Sequence, residues 1–181
     1  MRQSLRATCS VAALCLFAGS VLVQAQEPTT AEARLKAAGI ELPPAPKPVA
    51  NYVPAVRTGS LIFLAGQGPF VGGKPAMTGK VGGDVSEEDG YKAARIATLN
   101  ALAALRAEIG SLDRVRRVVK VTGYVNSAPG FSRQPAVVNG ASDLLVQIFG
   151  DAGRHARTAV SANELPFNIP VEIDIIVEVS G

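Results

Sequence analysis

Residues 170–179 read Pro170-Val171-Glu172-Ile173-Asp174-Ile175-Ile176-Val177-Glu178-Val179, and the architecture follows from how they alternate. Side chains point to opposite faces along a strand, so Val171, Ile173, Ile175, Val177 and Val179 make one wholly apolar face, while Glu172, Asp174 and Glu178 share the other with Ile176. Such a strand belongs in a sheet covered by helices on one side. Its acidic face then looks away from the subunit's core, toward a cleft between copies.

Working back along the chain, Arg157 to Asn163 predicts another strand. The β-branched run Val115 to Val125 predicts a central one, with Val119, Val121 and Val125 on its core face and a stop at Asn126-Ser127-Ala128-Pro129-Gly130. Between these lies a helix from about Pro135 to Phe149, with Val137, Ala141, Leu144, Leu145 and Ile148 as its buried stripe. Ser86 before Glu87, Glu88 and Asp89 is an N-cap followed by acids that suit a helix dipole, and it starts a helix that Gly110 ends. Further upstream, Tyr52 to Val56 and Leu61 to Ala65 form a hairpin around Thr58-Gly59. The second hairpin strand is apolar on both faces, and two helices cannot cover both, so Ile62 or its neighbours need cover from another copy. Gly68 to Asp84, rich in glycine and without periodicity, reads as a surface loop. The order is β-β-α-β-α-β-β, an α+β fold with a mixed sheet and both helices on one face.

The first 25 residues are a separate object. Arg2 and Arg6, an apolar run from Val11 to Val23 and the small residue Ala25 predict a signal peptide cut after Ala25, and with it a periplasmic or secreted protein with no membrane anchor. Residues 26–49 predict a short helix capped by Thr30 and ended by Gly39, then a proline-rich arm over Leu42-Pro43-Pro44-Ala45-Pro46-Lys47-Pro48; residues 50–181 are the folded domain.

Charge narrows the functional classes. The chain holds 18 Lys and Arg against 15 Asp and Glu, and Arg2 and Arg6 are the only charges in the signal, so 16 basic and 15 acidic groups remain after cleavage. A net charge of +1 argues against nucleic acid, and the cluster Arg114, Arg116, Arg117 and Lys120 reads as a solvated strand face. Both cysteines, Cys9 and Cys15, fall in the signal, which removes thiolate metal sites, disulfides and cysteine nucleophiles. His155 stands between Arg154 and Arg157 with no Ser, Cys or metal-ligand spacing around it and takes a loop or strand-edge role. Gly66-Gln67-Gly68 lacks the third glycine and the helix of a nucleotide loop. Arg157 remains as a fixed cation for a carboxylate, Glu172 as an acceptor able to hold or deprotonate a water, and Tyr52 as a hairpin aromatic; surface roles stay open for all three.

From Tyr52 onward the chain resembles the Rid family, the reactive intermediate deaminases also called YjgF or endoribonuclease L-PSP proteins. The resemblance rests on Tyr52-Val53 with the Gly59 turn, Ala65-Gly66-Gln67-Gly68-Pro69, Asn139, Arg157-Thr158-Ala159-Val160, Leu165-Pro166 and Val171-Glu172-Ile173-Asp174. It implies a chorismate mutase-like fold, a homotrimer with clefts between subunits, and hydrolysis of enamine or imine forms of amino acids to 2-keto acids and ammonia, without a cofactor or metal. It further implies that Arg157 grips the substrate carboxylate, that Glu172 positions the attacking water, and that Tyr52, Gly66 and Ala159 line the pocket. Ala65 and Ala159 stand where many members carry Ser and Cys. A non-catalytic binding or chaperone-like trimer and an endoribonuclease are the alternatives.

Overall fold

The computed structural model describes residues 29–48 and 50–181; the signal segment expected at 1–25 lies outside them. A five-stranded mixed sheet has the order β1-β2-β7-β5-β6, where β1 is Ala55–Thr58, β2 Leu61–Leu64, β5 Val115–Asn126, β6 Ala156–Ala162 and β7 Val171–Val179. Only β5 and β6 run parallel, and α3 (Gln134–Phe149) makes the crossover that a parallel pair requires. Among the described residues no helix is long and apolar enough to cross a membrane.

Helix α2 (Glu87–Ile109) begins where Ser86 Oγ accepts from the Asp89 amide at 3.0 Å and donates to the Asp89 carboxylate at 2.8 Å. It ends at Gly110, whose φ of 83° suits glycine. Ala93, Ala94, Ala97, Ala101 and Ala104 are buried along it. Helix α3 lies close enough that a Cβ added at Gly140 would overlap the Tyr91 carbonyl of α2. Both helices cover the sheet face made by Val118, Val121, Val125, Val171, Ile173, Ile175, Val177 and Val179, all at most 1% exposed. At about 1.5–3 kcal/mol for each large side chain removed from water, this layer dominates the fold's stability.

The short helix α1 (Ala31–Ala37) packs Leu35 inward and has the predicted Thr30 cap, with Glu32 Oε1 accepting from the Leu112 amide at 3.0 Å. The proline-rich residues after it carry no regular structure.

Four expectations need correction. Ile62 is fully buried under the helices, and Phe63, 41% exposed, is the residue left open beside Leu61 and Ile176. The first strand starts at Ala55, leaving Tyr52 in the approach to it. On β5 the core residue is Val118, with Val119 only half-buried, because the ladder to β7 slips between Val118 and Lys120 and switches the faces. Residues 68–84 are more than a surface loop: they contain the ribbon β3 (Phe70–Val71) with β4 (Lys74–Pro75), and Val81 is fully buried, exchanging backbone hydrogen bonds with Asn126 and Ala128.

Candidate active site

The face of the sheet turned away from the helices carries Glu172, Asp174, Tyr124, Thr122, Lys120 and Ile176 on its central strands, since Tyr124 pairs with Glu172, Thr122 with Asp174, and Lys120 with Ile176. Glu172 and Asp174 are half-buried, and neither forms an ion pair among the described residues. Burial raises the pKa of Glu172, and the neighbouring Asp174 charge raises it further. Burial likewise raises Asp174, against a smaller downward pull from the Tyr124 hydroxyl. The phenol of Tyr124 is held above its ordinary range, first by the Asp174 charge.

Gly66 explains how Glu172 fits. It follows β2, and an added Cβ would collide with the Glu172 carboxylate and come within 2.9 Å of an Asp174 oxygen. The glycine therefore lets a carboxyl group lie flat against the backbone. Tyr52 stands 47% exposed at the same end of the sheet, because Pro54 accepts from the Ala65 amide just before Gly66.

Arg157 lies elsewhere. Residues 157 and 159 of β6 point to the helix side, since Thr158 pairs with Thr122 of the acidic face. Arg157 Nη1 donates to Asn139 Oδ1 at 2.7 Å and to Ser142 Oγ at 3.1 Å, both on α3. Its Nε and Nη2 groups make no hydrogen bond among the described residues, so the edge of the guanidinium that can fork a carboxylate is free. Ala159 follows on the same face, half-buried against the core. The structure thus gathers Arg157 and Ala159 at one place and Glu172, Gly66 and Tyr52 at another. Two strand spacings and three residues separate Arg157 from Glu172, about 10 Å each way, on opposite faces of the sheet. One chain cannot apply both to one small molecule.

Residues 32–179 match the family described as "YjgF/chorismate mutase-like, putative endoribonuclease". The chain belongs to this YjgF family. The protein Atu1372 of Agrobacterium tumefaciens, of unknown function, shares 46% identity with a TM-score of 0.77, covering 83% of this chain and 92% of that one. Protein TCP17 of Trypanosoma cruzi is 45% identical over 82% of this chain and 94% of its own. A more distant YjgF relative is the 2-iminobutanoate/2-iminopropanoate deaminase of Dermatophagoides farinae, 31% identical over 76% of this chain and 93% of its own.

In the sequence Asn139 stands out only as a motif residue, and Ser142 carries no mark of its own. Their i, i+3 spacing on one helix, facing the strand that carries Arg157, is the signal that could have found both. The expectation that no serine stands near His155 is also corrected: Ser142 Oγ lies 3.1 Å from His155 Nε2. The two are 13 positions apart and meet only because the 3-10 turn Gly150–Gly153 folds the chain back on α3. Of the basic cluster, Arg116 and Arg117 are exposed on β5, while Arg114 Nη1 donates to the Ile109 carbonyl at 3.0 Å near the end of α2 and Lys120 donates to Thr158.

The raised carboxyl pKa values carry a stability consequence. A carboxyl whose folded pKa is raised binds more protons folded than unfolded, so its cost appears as pH rises through the folded value. Glu172→Gln is expected to raise Tm at neutral pH by about 1–3 °C, with the gain fading in acid. Thermal scans across pH check this; a lower Tm at neutral pH would mean that a cation reaches Glu172 in the assembled protein.

Proposed function

We propose that this protein hydrolyses enamine and imine forms of small 2-amino acids to 2-keto acids and ammonia, in a cleft joining Arg157 of one copy to Glu172 of another. The observation that carries this reading is the half-anchored guanidinium: Asn139 and Ser142 hold Nη1, and the Nε–Nη2 edge is left for a carboxylate. The opposite-face placement of Glu172 supports a site between copies, as does the uncovered apolar stripe of Leu61, Phe63 and Ile176.

In the cleft Arg157 holds the substrate carboxylate and so fixes the C=N carbon. Glu172 takes a proton from a water as the water oxygen bonds to that carbon, and returns it to the nitrogen, giving a neutral carbinolamine. It then carries the remaining hydroxyl proton to the nitrogen, the C–N bond breaks as the C=O forms, and ammonia leaves with both protons of the water. A carboxyl with a raised pKa is a stronger base than an ordinary glutamate, and it stops working as pH falls through its own titration. Two uncompensated acids on the face repel a phosphodiester, which weighs against the ribonuclease alternative.

Freshly generated imino acid, with keto-acid release followed, tests the reading. Glu172→Gln should lower turnover by roughly a hundredfold while leaving 2-keto-acid binding nearly intact. Wild-type turnover in that variant, or none in the parent, would favour a binding module. We also propose a homotrimer and export: sedimentation should give about three chain masses, and N-terminal sequencing should start at Gln26.

A further inference from the structure

His155 Nδ1 lies 2.6 Å from the Gly153 carbonyl oxygen, which can only accept, so this nitrogen carries a proton. In the neutral ring Nε2 is then bare, and the Ser142 hydroxyl 3.1 Å away donates to it. That leaves the Ser142 oxygen free to accept from Arg157 Nη1 at 3.1 Å. The bonds run in one direction, from Arg157 through Ser142 and His155 to the Gly153 carbonyl. Two bonds of 3.1 Å in series put the imidazole nitrogen no more than about 6 Å behind the guanidinium.

Protonation of His155 reverses one bond only. The imidazolium donates to Ser142 Oγ, and the hydroxyl proton turns to the α3 carbonyl one turn back, a bond open to any helical serine. The oxygen keeps its second lone pair for Arg157, so the guanidinium stays in place with a second cation behind it.

We propose that His155 is a proton-linked partner of the Arg157 anion site: a carboxylate on the free guanidinium edge and a proton on His155 assist each other, with Ser142 as the bridge that preserves both arrangements. The inference rests on Arg157 binding a carboxylate, as proposed above. Charged groups on the adjoining elements have partners of their own. Asp151 and Arg154 of the 3-10 turn pair at 3.2 Å, Asp143 of α3 accepts from the Tyr91 hydroxyl, and Lys120 of β5 donates to Thr158. In the free protein burial holds His155 below its ordinary pKa; the Gly153 hydrogen bond opposes this and the Arg157 charge adds a smaller downward push.

The sign follows from linkage. A bound carboxylate offsets the Arg157 field, so His155 takes a proton more readily, and by reciprocity carboxylates bind more tightly as pH falls through the His155 titration. At about 6 Å and partial solvent screening the coupling is worth about three- to tenfold. Glu172 loses its charge on the acid side as well, so the site passes from turnover to tight, idle binding.

His155 is the only histidine of the chain, so its imidazole C2–H proton NMR signal reports it without ambiguity. Saturating pyruvate should raise its titration midpoint by about half a unit to one unit. Arg157→Gln should raise it similarly with no ligand, and pyruvate should then add nothing. In the Glu172→Gln background, pyruvate affinity measured by calorimetry should rise three- to tenfold toward acid, and the further change His155→Gln should flatten that rise. An unmoved midpoint when calorimetry shows pyruvate bound overturns the linkage. An unmoved midpoint in free Arg157→Gln overturns the Arg157–Ser142–His155 connection itself. If that variant shifts but pyruvate does not bind the parent protein, the carboxylate reading of Arg157 fails and takes the linkage with it.

Discussion

Arg157→Ala is expected to weaken binding of pyruvate or 2-oxobutyrate by about a hundredfold or more, and to abolish keto-acid release from imino acids. A fork of two N–H groups on a carboxylate contributes about 1.5–3 kcal/mol where water is partly excluded, and Asn139 and Ser142 have already immobilised the side chain that supplies it. Arg157→Lys keeps the charge and loses the fork, and should fall between, at about tenfold weaker than the parent. Asn139→Ala leaves the charge and frees its mount, so a smaller loss there separates orientation from attraction. Calorimetric titration of each variant decides the matter. Unchanged affinity in Arg157→Ala sinks the clamp, whatever the turnover.

The largest stability effect is expected at Gly140. In the interior of a helix, glycine to alanine ordinarily stabilises by about 1 kcal/mol. Here the new methyl meets the Tyr91 carbonyl group, with its carbon at 2.9 Å, and the Arg95 nitrogen at 3.2 Å, all backbone of α2 that no rotamer change can move. The helices would have to part where Gly90, Tyr91 and Arg95 of α2 meet Val137, Gly140, Asp143 and Gln147 of α3. Overpacking of this kind costs about 1–3 kcal/mol or more, so Gly140→Ala should lower Tm by roughly 5–10 °C. A variant as stable as the parent would show that α2 and α3 slide apart freely.

Much of the fold was legible because burial wrote itself into period. The alternation at Val171–Val179 and the three-to-four spacing from Val137 to Ile148 gave elements within a residue or two of those observed. What sequence could not show was where period breaks. The slip near Val118 moves the core position by one residue and leaves no mark in a run of valines. Val81 went unread because a single buried residue among glycines has no pattern to join. The site divides in the same way. Arg157 and Glu172 were visible as unusual charges on strands, and the resemblance gave each a role. Their separation across the sheet was not visible, since it depends on strand order. Nor was the Ser142–His155 contact, which depends on a turn closing between two elements.

The sheet runs β1-β2-β7-β5-β6, so the strand made after all the others occupies its middle. Before Val171–Val179 has been synthesised, the hairpin β1–β2 and the parallel pair β5–β6 have no seam between them, and Leu102, Leu105 and Leu144 have no completed sheet to rest on. Folding of this domain therefore waits for β7, and a chain that stops anywhere before it yields two open half-sheets rather than a smaller stable domain.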